Sequence, residues 1–165
     1  MSFQLNNKNR RLSNMQRQIQ SSNLYEHDFN AWALDEANKL KLKKFDALDI
    51  DNLVEEIEDM SIRQKHSLKS RLIVLLAHLL KWQYQPSLRC GSWKGTITTQ
   101  RIEIESLLDE SPSLKNNLLE LMKDQKVFKK AFNIVINETG LFEDNLPKNN
   151  PFNIEQIMDV SFYPN

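Results

Sequence analysis

Residues 49–86 read DIDNLVEEIEDMSIRQKHSLKSRLIVLLAHLLKWQYQP. No Gly or Pro interrupts this run before Pro86, and Leu53, Ile57, Met60, Gln64, Leu68, Leu72, Leu75 and Leu79 recur at three- and four-residue steps. That period predicts one amphipathic helix, with Asp49 placed to cap its start and Pro86 to end it. Unbroken to about Tyr84 it would span ~50 Å at 1.5 Å per residue, longer than the usual globular helix. Ser61 is where a kink would fall. At 100° per residue, Arg71, His78 and Trp82 share one edge of the apolar face. A guanidinium so placed needs a carboxylate opposite it, and Glu36 and Glu103 are the candidates for a buried polar network with Arg71 and His78.

The flanking sequence repeats the helical pattern. Phe29, Trp32, Ala33, Ala37 and Leu40 predict a helix over about Glu26–Lys43, followed by a short link through Leu48. Beyond the Gln85–Ser92 loop, Ser92 is placed to cap a third helix over about Trp93–Asp109. Ser111 and Pro112 then read as N-cap and first turn of a fourth, which Gly140 ends as a left-handed stop. Asn153 and Gln156 have capping-box spacing before a short helix over Ile154–Met158. The expected fold is all-α, a four-helix up-and-down bundle with one long central helix, a short C-terminal helix and a mostly irregular tail.

Composition agrees and excludes several function classes. The chain has 165 residues, 40% of them apolar, enough for one core, so residues 25–165 read as a single helical domain. Three Gly cannot build a phosphate-cradling loop, and the single cysteine, Cys90, allows neither an internal disulfide nor a cysteine metal site. No apolar run is long enough for a membrane span, and residues 1–24 lack the apolar core of a secretory signal. They read instead as a basic, polar, disordered extension of a cytoplasmic protein. Zero net charge hides blocks. Residues 1–24 hold four basic residues and no acid, and residues 25–59 hold four Lys against eleven acids. Residues 60–102 hold eight basic residues and no acid, and residues 103–165 hold six Lys against eleven acids. Blocks of one sign shape the surface potential.

Several runs together resemble a bacterial, notably cyanobacterial, family catalogued as domain of unknown function twenty-nine. They are Tyr25-Glu26-His27-Asp28-Phe29 with Trp32, Asp49 through Glu58, and the specific run His78-Leu79-Leu80-Lys81-Trp82-Gln83-Tyr84-Gln85-Pro86. Ser92-Trp93, Thr96-Ile97, Gln100-Arg101, Ser111-Pro112-Ser113-Leu114, Glu138-Thr139-Gly140-Leu141 and Phe162-Tyr163-Pro164 extend the likeness over about residues 25–164. The resemblance implies an all-helical fold and supplies no catalytic residue. Where that family often carries a Cys-Pro-aromatic step, this chain has Asn150-Pro151-Phe152.

Candidate chemistry is sparse. The cluster Glu55, Glu56, Glu58 and Asp59 is acidic, but no acid precedes a histidine by three residues, the spacing that a carboxylate di-metal bundle needs. Neither metal nor cofactor is expected. Cys90 beside Arg89 has no visible histidine partner for nucleophilic work. What stands out is the acid-free block, where Lys81, Arg89, Lys94 and Arg101 interleave with Trp82, Tyr84 and Trp93. The leading expectation is a non-enzymatic module that binds another protein, or itself, through this basic corner between the second and third helices. The alternative is an RNA or single-stranded DNA binder using the block 60–102, since cations neutralise phosphate and aromatic rings stack bases. A weaker alternative is an enzyme built around Arg71, His78 and Glu36.

Overall fold

A computed structural model describes residues 24–165, and the expectation for the extension before Leu24 lies outside them. The described residues contain helices and 3-10 turns and no strand, so the protein is all-α. The helices are α1 (Phe29–Lys41), α2 (Ile50–Tyr84), α3 (Gly91–Glu110), α4 (Leu114–Lys123), α5 (Gln125–Thr139) and α6 (Ile154–Met158). The chain divides into two compact units, Met1–Ser61 and Ile62–Asn165, with the boundary inside α2.

In the first unit Asp28 caps α1 by accepting from the Ala31 amide at 2.9 Å. The helix starts later than the sequence suggests, because Asp28 is used as the cap and residues 24–27 form a separate helical turn. Lys43, at φ 55°, turns the chain out of α1. Asp49 stands at the head of α2, but its side chain accepts from Asn52 Nδ2 at 2.8 Å and from Trp32 Nε1 at 3.4 Å. Trp32 and Glu36 are buried, with Tyr25 and Phe29 packed on the indole at 4.8 and 5.5 Å.

The second unit holds the core. Leu68, Leu72, Leu75, Leu76, Leu79 and Leu80 of α2 are all buried to within 1%. They pack with Ile97 and Ile104 of α3, Leu114 and Leu118 of α4, Val127, Ala131 and Val135 of α5, and Ile157 of α6. Each such aliphatic contributes roughly 1.5–3 kcal/mol by leaving water. Gly140, at φ 68°, ends α5, and Asn153 and Gln156 form a complete capping box.

Three local expectations need correction. The predicted fourth helix is two, because Asp124 adopts an extended backbone and caps α5 by accepting from the Lys126 amide at 2.8 Å. An aspartate side chain competes for backbone amides in this way, and the break shifts the buried stripe of α5 onto Val127 and Ala131. Ser92 lies within α3, whose N-cap is Cys90. Ser111 donates its hydroxyl to Gln64 Oε1 at 3.0 Å instead of capping α4.

Candidate functional site

The cations of the acid-free block can be followed one by one, and three of the four at the expected corner are engaged by the chain itself. Arg101 is 2% exposed on the inner face of α3. Its Nε donates to the Ile157 carbonyl at 2.7 Å, and its Nη2 donates to those of Phe162 and Gln156 at 2.8 and 3.4 Å. Burial lowers its pKa from the ordinary value, and the negative charge of Asp159 opposes that shift. Arg89 donates to the Trp82 carbonyl at 2.8 Å and the Pro164 carbonyl at 3.2 Å, and its guanidinium lies 5.5 Å from the Trp82 ring centre. The two arginines therefore clamp the C-terminal residues against α2 and α3 through backbone carbonyls. Charge-assisted bonds of this kind outlast neutral ones.

Lys81 is also buried. Its ammonium donates to Glu138 Oε2 at 2.7 Å and to His78 Nε2 at 3.2 Å, and it lies 5.1 Å from the Trp93 ring centre. With His78 Nδ1 2.9 Å from the Val74 carbonyl, the arrangement suits a neutral imidazole that donates from Nδ1 and accepts at Nε2. Burial is the main reason the His78 pKa is lowered, and the Lys81 charge adds to it. Of the four corner cations, Lys94 alone is exposed, with its ammonium 5.7 Å from the Tyr163 ring.

The aromatics of the block are engaged as well. Trp82 packs on Tyr163 at 4.9 Å, Tyr84 is half-buried against the core, and Trp93 takes Lys81. Rings occupied in this way are not the open stacking platform that a single-strand groove presents.

Of the Arg71, His78 and Glu36 trio, Arg71 and His78 lie in the second unit and Glu36 in the first. Arg71 pairs with Glu103 at 3.0 Å and donates to Ser67 Oγ at 3.3 Å, both partners lying in the second unit. Glu36 belongs to the first unit, where it accepts from the Asp49 amide at 3.0 Å and from Lys39 at 2.6 Å. Burial acts to lower the Lys39 pKa, but hydrogen bonds to Asp35 and Glu36 outweigh it and leave the value raised. Among the described residues, no group of three or more His, Cys, Asp or Glu is placed to hold a metal. No helix there is long and apolar enough to cross a membrane. A cavity of about 360 Å³ in the second unit, beside Phe128, Phe132, Lys129 and Asp144, contains no nucleophile paired with a base.

A different surface lies in the first unit. On α2, Ile50, Val54, Ile57 and Met60 are 53, 49, 65 and 62% exposed. At 100° per residue they fall within an arc of roughly 120°, a continuous apolar stripe. Asp51 and Glu58, both exposed, border one edge. On the other edge Glu56 accepts from the Tyr25 hydroxyl at 2.9 Å, the main reason the Tyr25 pKa is raised to about 12. Their spacing was legible, but their exposure was not, because periodicity marks an apolar face without saying what covers it.

No curated protein and no solved structure matches the chain. The match to a family extends over residues 24–163, both units included, and the chain belongs to the family described as Domain of unknown function DUF29.

Proposed function

We propose that the protein is a non-enzymatic interaction module whose docking surface is the apolar stripe at the start of α2, and that its occupant is a basic amphipathic helix. The carrying observation is the exposure of Ile50, Val54, Ile57 and Met60 along one face. Isolated exposed apolar residues are ordinary, whereas a contiguous stripe rimmed by charge is the usual form of a groove for a helix. The sign of the rim selects the partner, because Asp51 and Glu58 favour lysine or arginine beside an apolar seam. The basic corner first expected to dock a partner is a weaker choice, since Lys81, Arg89 and Arg101 already hold the chain's own groups.

Titration of the full chain with a fluorescent leucine–lysine helix, and with its leucine–glutamate counterpart, tests this reading. The basic peptide binds. Ile57→Asp with Met60→Asp weakens it at least tenfold, a loss of about 1.4 kcal/mol, and added salt weakens it too. Equal binding of the two peptides, or indifference to the substitutions, overturns the reading.

A further inference from the structure

A second site lies wholly within the second unit and does not depend on the reading of the α2 stripe. We propose that the cleft between α5 and the segment 143–148 binds a short free peptide, zwitterionic through its own termini and carrying an apolar side chain at its centre. The cleft holds about 360 Å³. Part of its lining is apolar: Phe128 and Leu146 are buried, Phe132 is half-buried, and the two rings lie 6.3 Å apart. The rest is charge and carboxamide.

Those charges are sorted along the cleft. Gln125, Phe128, Lys129, Phe132 and Asn133 have the three- and four-residue spacing of one helix face, so the α5 wall runs from Gln125 at one end to Asn133 at the other. The opposite wall runs back the other way. Glu143 comes soon after the left-handed turn at Gly140 that ends α5, whereas Asn149 accepts from Gln125 Nε2 at 3.2 Å at the start of the helix. Lys148 therefore stands at the Gln125 end, with Lys129 one turn further along, and Glu143 and Asp144 stand at the Asn133 end. Among the described residues none of these four charges forms an ion pair, although all line one cleft. Opposite charges held apart across an apolar lining make a dipolar slot, and a ligand of reversed polarity completes it.

A peptide with free ends has that polarity. Its ammonium meets Glu143 and Asp144, its carboxylate meets Lys148 and Lys129, and its central side chain covers Phe132 and Leu146. Asn133 is exposed, and its carboxamide, donor and acceptor at once, matches a peptide group. The chain sets the length. Asp144 to Lys148 spans at most ~14 Å and Lys129 to Asn133 rises ~6 Å, so the slot suits roughly two or three residues at ~3.5 Å each. A single amino acid carries both charges on one carbon, too close together to serve both ends. A segment inside a longer chain carries neither charge.

Amide chemical shifts of the isotope-labelled full chain, titrated with alanyl-leucyl-alanine, test this site. The free tripeptide shifts residues 125–133 and 143–148. Acetylating its amine, or amidating its carboxylate, weakens binding roughly threefold, the scale of an exposed ion pair. Serine in place of the central leucine weakens it as well. Two variants assign the ends. Glu143→Gln/Asp144→Asn removes the penalty of acetylation and keeps that of amidation, and Lys129→Gln/Lys148→Gln does the reverse. All four positions are exposed, so thermal melts of both variants match the wild type. Equal binding of free and capped peptides overturns the proposal, as do cap penalties that both variants leave intact. Shifts confined to other residues, or none at ~10 mM peptide, overturn it too.

Discussion

The two halves of α2 carry the same kind of sequence and live in different surroundings. From Leu68 to Leu80 the apolar residues are buried under α3, α4, α5, α6 and the C-terminal residues. From Ile50 to Met60 an equally periodic stripe stands about half open or more. The difference teaches that amphipathicity fixes a helix and the direction of its greasy side, whereas burial depends on whether another element arrives there. In the second half that arrival is enforced by Arg101 and Arg89, which hold the C-terminal residues down. In the first half the rim is acidic and the stripe suits an occupant of opposite charge.

Substitutions should separate the halves by size of effect. Leu75→Ala, at a fully buried position, is expected to cost about 2–5 kcal/mol in urea unfolding. Arg101→Met should cost about 2 kcal/mol, because three tail carbonyls lose a charged donor. Hydrogen exchange across residues 156–164 should rise with it. Asn153→Ala removes the capping box of α6, which seats Ile157 in the core. About 1 kcal/mol should be lost there. Ile57→Ala, in the open half, should change stability by no more than about 0.5 kcal/mol. A loss as large as that of Leu75→Ala would show that this half is packed after all.

Acid offers another cut at the covered half. The His78 pKa is lowered in the folded state from its ordinary 6.5. The unfolded chain therefore binds the proton first, and this contribution to stability is full above 6.5 and shrinks as pH falls from there toward the lower folded value. His78→Gln should flatten that part of the profile in thermal melts taken between about pH 7 and 5. An unchanged slope would mean that His78 is not held neutral by its burial beside Lys81.

Local signals in the sequence were the readable ones. The long helix, its stop before Pro86, the Gly140 turn and the Asn153–Gln156 box each depend on residues within a few positions of one another, and the structure has all four. The break at Asp124 was readable in principle, since an aspartate two residues before an amide it can accept from is an ordinary cap. What the sequence could not disclose was distant pairing. Arg101 meets carbonyls 55 to 61 residues away, and Lys81 meets Glu138 across 57 residues. Both looked like surface charge because nothing nearby in the chain marks them otherwise. Arg71 could be assigned a carboxylate by need alone, but Glu36 and Glu103 were indistinguishable until Glu103 was found 3.0 Å from it.

The most direct test is a hydrogen-exchange footprint of the basic helical peptide on the full-length protein. Slowed exchange confined to residues 50–61 of α2, with residues 62–84 and the Arg89–Arg101 region unchanged, is the predicted result. Protection around Lys94, or none along the open half of α2, would contradict the account.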